Sequence, residues 1–300
     1  MPFPYLRQVE RFVAVADEGS IQAAARRMNL SQPSMTRAIA SIEESFGTPL
    51  FERGSRGVKL TPTGELLYAR SLIILSEGSL VREQIADLVL GRAGLLRISA
   101  GTAWGYCYMP AIIAELQERY PQLRVELDVG MTSLALPRLY AGELDLVVGS
   151  LDDAPPPPDG AVVEAILPIR FAAACGASHP LARRDDIDLA DLVGLPLVIY
   201  KDDQHLISRV LARLGTSREE GPNIAVKTQS LLSAMELLRT GRYLIFMAEP
   251  FLHQFAGRHI KILELRTPLP SFRSGIIYRQ TLSHTEPFSL LLHKIRALGR

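Results

Sequence analysis

The stretch Ser31-Gln32-Pro33-Ser34-Met35-Thr36-Arg37-Ala38-Ile39-Ala40-Ser41-Ile42-Glu43-Glu44 leaves the chain little local freedom. A Ser31 hydroxyl can accept from the free amides of a first helical turn, and Pro33 falls in that turn, where its missing N–H costs little. Met35, Ile39, Ile42 and Phe46 recur at helical spacing and can face a small core, which leaves Gln32, Ser34, Thr36, Arg37 and Ala40 toward solvent. That outer face is short, polar and singly charged. It suits a major groove, where Gln, Ser, Thr and Arg reach base edges and phosphates. An ordinary amphipathic surface helix is the plain alternative, so the neighbouring residues have to decide.

Leu6, Val9, Phe12, Val13 and Ala16 form the apolar stripe of a preceding helix that Gly19 ends. Ser20 then caps a second helix, Ile21 to Met28, whose Ala24 and Ala25 allow close approach. With Asn29-Leu30 as the turn, the pair predicts helix-turn-helix geometry. The segment Arg53 to Thr61 reads as a hairpin with a basic, glycine-rich tip. Such a wing would put Arg53, Arg56 or Lys59 on phosphates or in a minor groove, with a solvated loop as the alternative. From Pro62 to about Leu90 the chain continues without proline through Leu66, Leu67, Leu72, Ile73, Leu75, Leu80, Ile85, Leu88 and Val89. This is more apolar surface than one side of a three-helix module can bury, so a second copy is the simplest partner and packing back on the same chain the rival. Gly91 to Gly94 then reads as a hinge.

Beyond the hinge, strands and helices alternate, which predicts a mostly parallel sheet with helical faces. Strands are expected at Leu95–Ala100, Leu123–Val129, Leu144–Val148, Val163–Ala174, Leu197–Tyr200, Ile224–Thr228, Tyr243–Met247, Ile260–Leu265 and Ser274–Arg279. Helices are expected near 106–120, 134–140, 205–214, 231–240 and 287–298. The proline-rich run Asp152 to Gly160 marks a loop before a second lobe, and two lobes imply a cleft.

Composition narrows the chemistry. Hydrophobic residues make up 47% of the chain, enough for real cores, and the net charge of +1 neither supports nor excludes a nucleic-acid partner. Residues 1–60 carry eight Arg or Lys against six Asp or Glu. Cys107 and Cys175 lie far apart with no CxxC, so no metal site, cofactor or disulfide framework is expected, and Cys107 reads as a small hydrophobe. There is no secretory leader pattern and no membrane-length apolar run, so a cytoplasmic, membrane-free protein is the default. No GxSxG, Walker A, GxGxxG or HExxH pattern points to catalysis. An α/β enzyme acting on a metabolite, and a DNA binder with a ligand-independent dimerisation domain, stay open as alternatives at this stage.

Phe12 to Ser20, Ala24-Ala25, Leu30 to Ser34, Ile39, Ile42-Glu43, Gly47, Pro49 to Arg53 and Leu60 to Gly64 together resemble the N-terminal signature of LysR-type transcriptional regulators. Arg138 to Gly149 and Leu237 to Ile245 resemble the effector domain of that family, which shares the type II periplasmic-binding fold. The resemblance implies an α/β chain overall: a winged helix-turn-helix over residues 1–61, a linker and dimerisation helix over 62–92, and an effector domain over 93–300. Within the last, lobe I would hold about 93–161 and 269–300, and lobe II about 162–268. It implies DNA contacts from Gln22, Ser31, Gln32, Pro33, Ser34, Thr36, Arg37 and Arg53, alongside the wing residues Arg56 and Lys59. Ala23 departs from the polar residue frequent at its position. It also implies a small-molecule effector held by Thr102, Ala103, Trp104, Thr132, Ser133, Tyr200, Lys201, Asp202, Thr228 and Gln229, with Phe246 as an apolar wall. Trp104 would flank the cleft entrance, with a packed interface as its rival position. Double-stranded DNA with an imperfect two-fold operator, a homodimer assembling to a homotetramer, and RNA polymerase are the partners the resemblance suggests.

Overall fold

The computed structural model describes residues 6–54, 57–89, 94–152, 154–157, 160–200, 223–257, 259–280 and 285–299. The chain falls into two compact units, one centred on Met1–Gly91 and the other on Arg92–Leu139 with Leu144–Arg300.

The first unit contains α1 (Leu6–Glu18), α2 (Ile21–Arg27), α3 (Gln32–Phe46), the hairpin β1 (Phe51–Gly54) and β2 (Gly57–Leu60), and α4 (Pro62–Val89). The expected caps are in place: Ser20 Oγ accepts from Ala23 N at 3.3 Å and Ser31 Oγ from Ser34 N at 3.4 Å. Gly47 ends α3 with a left-handed φ of 67°, a conformation that costs a side-chain-bearing residue more. Phe12, Val15, Ala24, Met35, Ile39, Ile42 and Leu50 form the buried core. Truncating Phe12 to alanine in such a core costs about 3–5 kcal/mol. Ala24 and Ala25 of α2 are buried, which is why small residues sit at that crossing.

The hairpin is tied to the turn between α1 and α2. Val58 N donates to Gly19 O at 2.9 Å. At Gly57 φ is +124°, and a Cβ there would fall 2.3 Å from Gly19 O, so only glycine allows this contact. Along α4, Leu67, Tyr68, Leu72 and Leu75 pack against the core, while Leu66, Val81 and Ile85 stay exposed.

The second unit is a nine-stranded sheet in the order β4-β3-β5-β11-β6-β9-β7-β8, with β10 also on β6. The strands are β3 (Leu95–Ala100), β4 (Arg124–Val129), β5 (Leu146–Ser150), β6 (Ala161–Gly176), β7 (Leu197–Tyr200), β8 (Ile224–Thr228), β9 (Leu244–Ala248), β10 (Ile260–Ile262) and β11 (Ser271–Arg279). Helices α5 (Met109–Arg119), α6 (Thr132–Tyr140), α7 (Leu231–Arg239), α8 (Glu249–Phe255) and α9 (Glu286–Ala297) complete it. The helix expected near 205–214 lies outside the described residues.

Three findings refine the expected layout. The sheet is mixed rather than mostly parallel: β3-β4, β3-β5, β7-β8 and β7-β9 are parallel, and every pairing of β6 and β11 is antiparallel. The antiparallel strands are the crossings between lobes, where chain direction must reverse. Second, β6 begins at Ala161 and belongs to both lobes, pairing with β11 as far as Arg170 and with β9 from Phe171. Third, Glu249–Phe255 is a helix that periodicity alone left unassigned, short and opened by Pro250 in its first turn. The C-terminal helix returns to lobe I through Arg296, whose guanidinium donates to both oxygens of Glu164 at 2.6 and 2.8 Å. That pairing, with the Tyr278 hydroxyl donating to the same carboxylate, holds Glu164 below the usual carboxylate range.

Candidate functional site

Helix α3 presents a face that the core does not need. Gln32, Pro33 and Arg37 are exposed, Ser34 and Thr36 are half-buried beside them, and Met35, Ala38, Ile39 and Ile42 point inward. Ser31 is exposed but its Oγ is already used as the cap of α3, so its contribution begins with setting the helix start. Gln22 is exposed on α2, and Lys59 is exposed on β2. Arg53 sits in β1 opposite Val58, while its side chain and the whole of Arg56 lie outside the described residues.

One residue of the family signature has a positioning role that its sequence position does not reveal. Glu43 Oε1 accepts from Leu50 N at 2.8 Å and from Phe51 N at 3.2 Å, tying the far end of α3 to the start of the wing. Arg27, which a charge count would offer to phosphates, is paired with Asp17 and Glu18 at 3.2 and 3.3 Å. Asp17 also accepts from Tyr68 Oη at 2.7 Å. Burial first, and then this hydrogen bond to a carboxylate, push the Tyr68 phenol up to about 12.

In the second unit, parallel pairing aligns strand ends. Ala100 of β3 lies opposite Val129 of β4, which brings Thr102-Ala103 and Thr132-Ser133 to one edge of lobe I. A Cβ on Gly149 at the end of β5 would lie 2.5 Å from Thr132 Oγ1 and 3.4 Å from Gly101 N, so three strand ends meet there with no room for a side chain. In lobe II, Tyr200 of β7 lies opposite Thr228 of β8. Thr228 Oγ1 accepts from Ser230 N at 2.9 Å, and Ser230 Oγ caps α7 by accepting from Ser233 N at 3.2 Å.

Several of the expected effector residues are buried. Trp104 is only 1% exposed, so it does not flank a cleft entrance. Its Nε1 donates to Ser274 Oγ at 3.0 Å, and that hydroxyl donates to Leu167 O at 2.7 Å, which ties the end of β3 to β11 and β6. A buried indole N–H needs such a partner. Phe246 is buried in β9 opposite Ala173, and Tyr200 belongs to the lobe II core. Thr102, Ala103 and Thr132 are buried as well, Ser133 and Thr228 are half-buried, and Gln229 is exposed. Lys201 and Asp202 lie outside the described residues. Arg242, on the turn before β9, is exposed. Cys107, in the π-helical turn Trp104–Tyr108, packs half-buried against the lobe II core, and burial pushes its thiol up to about 11.

Among the described residues no group of three or more His, Cys, Asp or Glu could hold a metal ion. No helix there is long and apolar enough to cross a membrane.

An exposed helix N-terminus with a wing, followed by a two-lobed domain of aligned strand ends, pairs two known modules. Residues 6–65 match the model for the bacterial regulatory helix-turn-helix protein of the LysR family, and residues 90–299 match the LysR substrate binding domain. This chain belongs to the LysR family of transcriptional regulators. Among its LysR relatives, a probable nitrogen assimilation transcriptional activator of Synechococcus elongatus is 28% identical over 81% of this chain and 78% of that protein. The HTH-type transcriptional regulator TfdS of Cupriavidus pinatubonensis is 32% identical over 78% of this chain and 79% of its own. Full-length OxyR of Pseudomonas aeruginosa shares the fold, with a TM-score of 0.61 and 23% identity over 99% of this chain and 96% of that one. CbnR complexed with its target DNA has the same TM-score of 0.61, at 20% identity over 98% and 100% of the two chains. These relatives are regulators, so the enzyme alternative falls.

Proposed function

We propose that this LysR-family regulator binds a two-fold operator as a dimer and alters its hold on promoter DNA when a small molecule enters the cleft between its lobes. The observation that carries the DNA half is the outward polar start of α3, where Gln32, Pro33, Ser34, Thr36 and Arg37 are free of core duty. Gln22 and Lys59 flank it, with Arg53 and Arg56 assigned to the wing. In this reading Arg37 and the wing cations meet phosphates, and Gln32 with Ser34 or Thr36 reads base edges. The exposed Leu66, Val81 and Ile85 on α4 supply the dimer contact, and a pair of dimers would span two sites on a promoter.

For the effector, the supporting observation is the alignment of strand ends in both lobes, with Ser133 and Gln229 the most accessible polar groups of the set. Thr102, Thr132 and Thr228 back them, and the reading extends to Lys201 and Asp202, which follow Tyr200 in sequence. A ligand that touches both lobes favours one lobe angle over another, and that differential affinity is what shifts DNA spacing or bend.

The test is selection of DNA fragments from a random pool by the full chain, followed by anisotropy titration at fixed salt with and without metabolite classes. Recovery of an imperfect two-fold sequence whose affinity or footprint moves with one metabolite class is the expected result. Recovery of no preferred sequence would sink the operator reading, and an affinity and footprint indifferent to every class would sink the effector reading.

A further inference from the structure

A cavity of about 350 Å3 opens elsewhere in the second unit, lined by none of the strand-end residues discussed above. It lies where β6 changes partners. β10 leaves β6 after Ile262↔Ala174 and β11 joins it at Ser271↔Arg170. Residues 263–270 span the gap, held at its ends by Leu263 N donating to Ala173 O at 2.8 Å and Phe171 N donating to Pro270 O at 3.2 Å. Helix α8 closes one side with Glu249 and His253.

The floor is apolar. Phe171, Ala173, Leu263 and Leu269 line it and are buried, and the Phe171 ring is backed by Phe272 with centroids 5.5 Å apart. The rim is charged, and most of that charge is already paired. Arg170 Nε donates to Glu249 Oε2 at 3.1 Å, and His253 Nε2 stands 3.6 Å from Glu249 Oε1. Glu264 is exposed on the rim and has no hydrogen bond or ion pair among the described residues. Two carboxylates thus face one guanidinium and an imidazole, and the uncommitted charge is negative.

We propose that this cavity is a second ligand site, for a small organic amine whose apolar body lies on the Phe171–Leu263–Leu269 floor and whose ammonium group meets Glu264. A volume of about 350 Å3 is that of a site for a small ligand, and an apolar floor with a few placed polar groups is the usual make-up of one. An anion is disfavoured because the one guanidinium it could meet already has Glu249 beside it, and Glu264 adds a second carboxylate to the same rim. The walls come from both chain segments that run between the lobes, β6 and residues 263–270. An amine seated there braces the junction and biases the lobe angle through its preference for one arrangement. The site stands on its own geometry and does not depend on an effector binding at the strand ends.

Calorimetric titration of the full chain with phenethylamine, using hydrocinnamate as the charge-reversed control, tests it. Phenethylamine should bind more tightly than hydrocinnamate. Glu264→Gln should weaken the amine by about fivefold, the scale of a rim ion pair, and Glu264→Lys should reverse the preference. Ser133→Ala, in the proposed effector cleft, should leave phenethylamine binding unchanged. Equal binding of amine and acid, no measurable amine binding, unaltered amine binding in Glu264→Lys, or weakened amine binding in Ser133→Ala would each overturn the proposal.

Discussion

The start of α3 and the end of β3 are both polar segments beside an apolar element, yet the structure uses them in opposite ways. On α3, Gln32 and Arg37 can be removed from the fold's point of view, because Met35, Ile39 and Ile42 already supply the packing. At the end of β3, Thr102, Ala103 and Trp104 are all buried, and the tryptophan is hydrogen-bonded into two other strands. A DNA reader has to present its chemistry to a flat external partner. The end of β3 instead spends its side chains on packing inside the second unit.

That contrast can be broken by substitution. The largest effect belongs to Trp104→Ala, which removes a fully buried indole and the hydrogen bond that Ser274 Oγ accepts; a loss of about 3–5 kcal/mol is expected in urea unfolding. A loss under about 1 kcal/mol would return Trp104 to the cleft mouth. Arg37→Ala should do the reverse, leaving the unfolding midpoint unchanged and costing about 1–3 kcal/mol in operator affinity. Equal footprints for the parent and this variant would remove Arg37 from the interface. Ser133→Ala is expected to weaken the effector response by roughly the worth of one hydrogen bond, about 1 kcal/mol, with operator affinity retained in the absence of ligand. A full response would move the cleft away from the end of β4.

The smallest effect concerns pH. With the Tyr68 phenol raised from 10.0 to about 12 in the folded chain, its contribution is complete below pH 10 and is lost as pH rises through about 12. Tyr68→Phe should therefore be less stable than the parent below that window, with the gap closing across it. Parallel stability curves over the window would show that the Asp17–Tyr68 bond does not persist in solution.

Much of the first unit was legible because its signals are local. A serine cap, an apolar repeat and a proline in the first turn act within four residues of each other, and the observed α3 begins at Gln32 as they require. The effector domain was legible as alternating elements but not as a sheet. The change of partner at Phe171 depends on strands that arrive some hundred residues later, and no periodicity encodes it. The burial of Trp104 likewise depends on Ser274, 170 positions away. Glu43 was noticed as part of a family pattern, but its two bonds to the wing backbone require knowing where Leu50 and Phe51 turn back.

The sixteen residues of β6 carry a mechanical consequence. Two lobes joined by slack tethers can drift through any angle, whereas here one strand is laddered to β11 over Ala161–Arg170, with a single register shift beside Ile166, and to β9 over Phe171–Cys175. A change of angle must be taken up as torsion along that strand, and a torsion bar resists in proportion and springs back. Such a joint passes on the size of a displacement as well as its occurrence.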